Sequence, residues 1–220
     1  ISLGGVGRNI AHNMALMGLD VHLLTAYGND MNGQRVAASC QELGINLSHA
    51  LRLNEMATST YLYLTDPEGE MALAVSDMAI CERISPAYLA ANLSQLQKAR
   101  VVVADANIPA ESLQYLAENC TAPLFVDPVS TVKAEKLRPI LGKIHTLKPN
   151  KLEAELLSGI PIRNEEDLEM AADKLLSTGL RRIFISLGAD GVYAASHHHG
   201  CWMDNIPGDM VNTTGCGDAF

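Results

Sequence analysis

Apolar residues recur along the chain at two spacings, one helical and one extended, and the pattern alternates between them. Ile10, Met14 and Met17 fall at helical intervals after the run Gly4-Gly5-Val6-Gly7-Arg8-Asn9, with Gly18 as the stop. This predicts a loop opening a buried helix, with both methionines filling core. Val21 to Ala26 reads as a strand, Gly28-Asn29-Asp30 as a turn, and Gly33 to Leu43 as a helix ended by Gly44. The segment Thr58 to Leu64 is β-branched and aromatic, and Glu70 to Val75 returns as a second strand after the turn residues Asp66-Pro67-Glu68-Gly69. A lone hairpin needs something to pack on, so residues 58–76 are expected to project as a β lid or to meet a second copy. Residues 1–57 and 77–220 then form an α/β core.

The α/β alternation resumes at Ser85-Pro86, where an N-cap precedes Pro at the first helical position, and Pro109 repeats that device. The continuous apolar run Val101 to Ala104 predicts a strand covered on both faces, as in a parallel sheet. Leu124 to Val126 ends at Asp127-Pro128, and His145 to Leu147 ends at Lys148-Pro149-Asn150. Helices are expected from Asn150 to Leu157 and from Glu165 to Ser177. The strand Ile183 to Ile185 follows, then the loop Ser186 to Gly191, and then strands Val192 to Ala195 and Cys201 to Asp204. The fold class is α/β: an open, mainly parallel sheet flanked by helices, with ligand loops at the strand C-termini.

Composition narrows the function. With 220 residues and 48% hydrophobic content the chain can bury a sizeable core. Sixteen basic residues against 25 acidic ones give −9, and the basic residues are scattered, so a nucleic-acid polymer is not an expected partner. The five cysteines are odd in number and lack a Cys-x-x-Cys pair, which suits a reducing, cytoplasmic setting. No apolar run approaches the ~18 residues of a membrane helix, so no membrane role is expected. Both ends read as cut, so further elements are expected before Gly4 and after Phe220.

Candidate chemistry concentrates in Asn212-Thr213-Thr214-Gly215-Cys216-Gly217-Asp218-Ala219-Phe220. Small residues where a helix begins let the N–H groups of Gly215, Cys216 and Gly217 converge on an anion, at the positive end of the helix dipole. Asp218 then stands beside any phosphoryl group held there and can accept the proton of an attacking hydroxyl. Read alone, the same string is a glycine-rich turn capping an ordinary helix.

The order of four motifs decides between these readings. Gly4 to Asn9, with Ala11, Gly18 and Gly28 at their distances, resembles the first signature of the ribokinase (PfkB) family of carbohydrate and nucleoside kinases, and Asn212 to Asp218 resembles the second. Lys148-Pro149-Asn150 with Glu153 is similar to the family's Asn-x-x-Glu motif, and Ser186-Leu187-Gly188 with Gly191 to its nucleotide loop. Within the family, Gly-Gly-Val-Gly-Arg-Asn-Ile-Ala, Ser76-Asp77-Met78 and Val103-Ala104-Asp105 look most like pseudouridine kinases.

The resemblance implies an ATP-dependent kinase, with Asp218 as base and Gly215, Cys216 and Gly217 as anion hole. It implies that Gly4, Gly5, Asn9 and Asn107, with Asp218, bind the acceptor, and that Asn150, Ser186, Gly188, Gly191 and Gly217 bind ATP. Asn150 and Glu153 would hold Mg²⁺ through water. The apolar hairpin is expected to pack over the substrate mouth of its own subunit or to make a homodimer through the lid. The acceptor is a small molecule, either a nucleoside or a free sugar. Short, apolar Val6 leaves room for a nucleoside phosphorylated on its 5′-hydroxyl, with pseudouridine as first choice. The family usually has Asp where this chain has neutral Asn212, which weakens the case for a monovalent cation such as potassium.

Two rival readings are weaker. Gly5-x-Gly7 as a dinucleotide loop fails because Ile10 stands where a third small residue belongs. A sensor that has lost phosphoryl transfer would have no need of Asp218. Asn150 with Glu153 is also an ordinary helix cap, and His197-His198-His199 before Gly200 reads as a solvated turn. Asp105, Asp127 and Asp190 end strands or sit in turns, where such side chains satisfy local backbone. Asp127 stands out among them as a candidate for more.

Overall fold

A computed structural model describes residues 2–65, 71–206, 208 and 215–220. The chain divides into two units, Ile1–Ser85 with Ala219 and Pro86–Asp218 with Phe220.

In the first unit, helix α1 (Val6–Leu16) begins at an N-cap glycine, Gly5, whose φ of 96° is a conformation that a side chain would strain. The helix therefore starts four residues earlier than the apolar spacing predicts, and Arg8 and Asn9 lie in its first turn. Met14 packs on the small core of Ala11, Val21, Cys40 and Ile45. Met17 does not fill core as expected: it sits past the helix end and is 68% exposed. The strand expected at Val21 to Ala26 shrinks to one bridge, His22 with Asn46, and to β1 (Ala26–Gly28). After α2 (Met31–Glu42), β1 pairs in parallel with β2 (Leu51–Leu53), a strand the sequence reading missed.

The hairpin is present as β3 (Thr60–Thr65) and β4 (Met71–Asp77), an antiparallel pair forming a sheet of its own. Its expected turn, Asp66-Pro67-Glu68-Gly69, lies outside the described residues. The base of the hairpin is tied to the turn before α2. The Asp30 carboxylate accepts from Gly33 N at 2.7 Å, from Thr58 N at 2.8 Å and from the Thr58 hydroxyl at 2.7 Å. These bonds, the Thr58 N–H foremost, hold the Asp30 pKa below the usual carboxylate value.

The second unit opens with the short helices α3 (Pro86–Ala91) and α4 (Leu93–Leu96). Its strands are β5 (Val102–Asp105), β6 (Leu124–Asp127), β7 (Thr146–Leu147), β8 (Arg182–Ser186), β9 (Val192–Ser196) and β10 (Gly200–Met203). Among the described residues they form one sheet in the order β10-β9-β8-β7-β6-β5. Strands β5 to β8 run parallel, β9 adds antiparallel to β8, and β10 adds antiparallel to β9. The α/β class with a mainly parallel sheet is as the sequence predicts. One detail differs: β5 is the edge of this sheet, and Val101 and Val103 are exposed rather than covered. The triple histidine turns between β9 and β10, where the His199 carbonyl accepts from Ser196 N at 2.8 Å.

Helices flanking the sheet are α5 (Ala110–Asn119), α6 (Thr131–Ala134), α7 (Lys151–Ser158) and α8 (Glu165–Leu176). In α8 the periodicity has its direct consequence: Leu168, Ala171, Ala172, Leu175 and Leu176 are all buried along one face. Asn164 caps the start by accepting from Asp167 N at 2.8 Å. Leu147, Ile183 and Ile185 supply buried apolar groups from the sheet, each contributing about 1.5–3 kcal/mol relative to exposure. Among the described residues no helix is long and apolar enough to cross a membrane.

Candidate active site

The parallel strands β6, β7 and β8 end at the same side of the second unit, and the sequence after each carries polar groups. Ser186 N donates to Pro149 O at 3.0 Å, and Asn150 bridges Ser186 in parallel register. Two motifs 36 positions apart thus meet through the backbone, the first at the start of α7 and the second at the end of β8.

Asn150 and Glu153 form a reciprocal capping box. Glu153 N donates to Asn150 Oδ1 at 2.9 Å, and Asn150 N donates to Glu153 Oε2 at 2.8 Å. The helix-cap reading is therefore correct as far as it goes, and it leaves the Asn150 amide nitrogen and the second Glu153 oxygen for other partners. Glu153 is only 3% exposed. Burial pushes its pKa up, opposed by the Asn150 N–H; nearby Asp127 raises it further and Lys148 lowers it.

The loop from Ser186 closes as a 3-10 turn over Gly188–Asp190 and leaves through Gly191. A β-carbon on Gly191 would lie 2.1 Å from Met203 O and 3.0 Å from Asn205 N, and its φ is 85°. Only glycine fits there, because the backbone after β10 passes directly over it.

Gly215 precedes a helix start, α9 (Cys216–Ala219), and Asp218 N donates to Gly215 O at 3.1 Å. The Phe220 ring meets Phe184 of β8 edge-on, with centroids 6.1 Å apart. A β-carbon on Gly217 would lie 3.8 Å from Lys148 Nζ. The side chain of Lys148, which follows β7, thereby reaches Gly217. Asn212, Thr213 and Thr214 lie outside the described residues, and the cation question attached to Asn212 lies there with them.

Asn107 follows β5. Its N–H donates to Asp105 Oδ1 at 2.8 Å, and its side-chain oxygen accepts from Lys133 Nζ. The other expected acceptor-binding residues belong to the first unit. Asn9 N donates to Gly5 O at 2.8 Å, Arg8 Nη1 donates to Asn9 Oδ1 at 3.2 Å, and a β-carbon on Gly4 would meet no heavy atom within 4 Å beyond its own chain neighbours.

Sequence reasoning missed Lys133 and Lys148. Lys148 stood inside the quoted Lys-Pro-Asn run, but its charge carried no weight until its partner was known. That partner is Asp127, with Lys148 Nζ 3.0 Å from Asp127 Oδ2 and both side chains largely buried.

The family model described as pfkB family carbohydrate kinase matches residues 1–220. The chain is 44% identical to a pseudouridine kinase of Escherichia coli K12 over 220 residues, covering 99% of this chain and 70% of that protein. It is 38% identical to the uncharacterized sugar kinase YeiI of the same organism, covering 100% of this chain and 61% of that one. Among solved structures, a putative sugar kinase from Clostridium perfringens superposes with a TM-score of 0.87 at 32% identity, covering 99% of this chain and 69% of that one. Arabidopsis thaliana ribokinase complexed with ribose and ATP shares the fold, with a TM-score of 0.84 at 21% identity over 98% of this chain and 71% of that one. The chain belongs to the pfkB family of carbohydrate kinases.

Proposed function

We propose that the protein transfers the γ-phosphoryl group of ATP to the 5′-hydroxyl of a nucleoside, with pseudouridine the preferred acceptor. The observation that carries the nucleoside reading is the 44% identity to a pseudouridine kinase over 99% of this chain. A free-sugar acceptor is the weaker alternative, since the ribokinases it resembles are less similar, the Staphylococcus aureus enzyme being 27% identical.

On this reading Gly4, Gly5, Asn9 and Asn107 hold the acceptor sugar, and Asp218 takes the hydroxyl proton as the oxygen attacks. The N–H groups of Gly215, Cys216 and Gly217 stabilise charge on the transferring group. Ser186, Gly188 and Gly191 line the ATP phosphates and sugar, next to Asn150. The donor set of Asn150 and Glu153, one amide and one buried carboxylate, fits the ordering of waters around Mg²⁺, an ion that keeps much of its hydration. When bound, Mg²⁺ neutralises phosphate charge. The hairpin serves as a lid for the acceptor or as a contact with a second copy.

A panel of pseudouridine, uridine, ribose and fructose 6-phosphate, run on the wild type and on Asp218→Asn, tests this reading. The wild type is expected to give its highest kcat/KM with pseudouridine, and the variant to lose at least ~10²-fold in kcat with ATP binding retained. A kcat/KM for ribose or a hexose equal to or above that for pseudouridine overturns the nucleoside assignment. Near-normal turnover by Asp218→Asn removes Asp218 from the mechanism.

A further inference from the structure

The roles above leave unused a pair of opposite charges at the ends of β6 and β7. Asp127 closes β6 and is 7% exposed. Its Oδ1 accepts from Val129 N at 2.8 Å, and its Oδ2 lies 3.0 Å from Lys148 Nζ. Val129 has a φ of 68°, the one positive value at a non-glycine among the described residues. For a β-branched residue that conformation is strained, so the surroundings must hold the loop that fixes the carboxylate. The same ammonium approaches Gly217, where a β-carbon would be 3.8 Å from Nζ.

We propose that Lys148 is a further catalytic residue, its ammonium donating to the phosphoryl group in transfer, with Asp127 as the positioning residue that aims it. The inference rests on the kinase reading above. In the step, the acceptor oxygen bonds to the γ-phosphorus as the bond from that phosphorus to the β,γ-bridging oxygen breaks. The hydroxyl proton goes to Asp218, and Lys148 keeps its own protons throughout.

A purely structural ion pair explains these observations less well. A buried pair adds little stability over apolar side chains of similar size, because desolvation offsets its attraction. An ammonium has three donors, and Asp127 takes one of them. Charge balance points the same way: Asp127 and Glu153 place two carboxylates beside the region proposed for a triphosphate, and Lys148 is the cation between them and Gly217.

The test is steady-state kinetics on the full chain for wild type, Lys148→Arg, Lys148→Met, Asp127→Asn and the double variant Lys148→Met/Asp127→Asn. Lys148→Met is expected to lower kcat by roughly 10²-fold while KM for pseudouridine stays within about 3-fold. Lys148→Arg should recover part of that loss, and Asp127→Asn, which keeps the charge but loosens its aim, should fall between wild type and Lys148→Met. Lys148→Met alone leaves Asp127 buried without its partner and can fail to fold. The double variant removes both charges, so its folding, checked by thermal unfolding, does not depend on a lone carboxylate. It is expected to fold and to be as slow as Lys148→Met. A folded double variant with kcat within about 3-fold of wild type overturns the inference and leaves the kinase reading standing. No phosphoryl transfer by the wild type to any acceptor overturns both.

Discussion

Strands β8 and β3 read alike in sequence, each a short continuous run of apolar and aromatic residues, yet their surroundings are opposite. Ile183 and Ile185 of β8 are 0% exposed, packed inside the second unit. Leu62 and Leu64 of β3 are 63% and 65% exposed, and Tyr61 and Tyr63 on the other face are also exposed. Such a run specifies a strand in both cases, but it does not specify what covers the strand. Coverage comes from neighbours distant in sequence: β8 has β7 and β9 beside it, whereas β3 has β4 alone. Burial in the sheet unit fixes structure, and the hairpin keeps its apolar side chains exposed.

The largest expected effect follows from the buried side of this contrast. Ile183→Ala removes a side chain with no exposed surface and should lower unfolding free energy by about 2–4 kcal/mol in urea titrations. A loss below about 1 kcal/mol would mean that the sheet relaxes around the cavity, and the contrast with the hairpin would then fail.

Burial of a charge has the opposite sign. Burial holds Glu153 above the ordinary glutamate pKa, so the folded state binds its proton more tightly than the unfolded state does. That contribution is fully present below the unfolded value and is lost as pH rises through the raised folded value. Glu153→Gln, which keeps an oxygen for the Asn150 N–H, should flatten this part of the pH–stability curve and raise the melting temperature at neutral pH. It should also raise the Mg²⁺ concentration needed for half-maximal activity by about 10-fold. A lower melting temperature at neutral pH in the variant would show that the ionised carboxylate is a net stabiliser there.

The same contrast explains what the sequence made legible. Helix α8 was readable because Asn164 caps it and its leucines and alanines keep one period. The hairpin was readable from its β-branched and aromatic composition. Residues 131–143 were not read, although Ser130 caps α6 and Leu137, Ile140 and Leu141 are buried at helical spacing. Pro139 interrupts that pattern, and most of the segment is 3-10 helix. Within the site, Asn150, Glu153, Ser186 and Gly191 were legible because their motifs are short and local. The pairing of Lys148 with Asp127 was not, because it joins the ends of two strands 21 positions apart and only parallel register brings them level.

The smallest expected effect on stability is in the hairpin, where the contrast can be sharpened by treating its faces separately. Leu62 and Leu64 point to one side of β3 and Tyr61 and Tyr63 to the other, the two rings tilted with centroids 6.0 Å apart. Because all four are exposed, replacing either pair with serine should change unfolding free energy by only about 0.5 kcal/mol per residue. If the hairpin is a lid, one face closes over the acceptor and the other does not. One double variant should then raise KM for pseudouridine by about 3- to 10-fold with kcat little changed, and the other should leave KM alone. If the second face meets another copy, that other variant should shift the sedimentation coefficient toward the monomer. Two double variants that both keep wild-type KM and wild-type sedimentation would leave the exposed apolar faces without either role and would remove the lid from the proposed function.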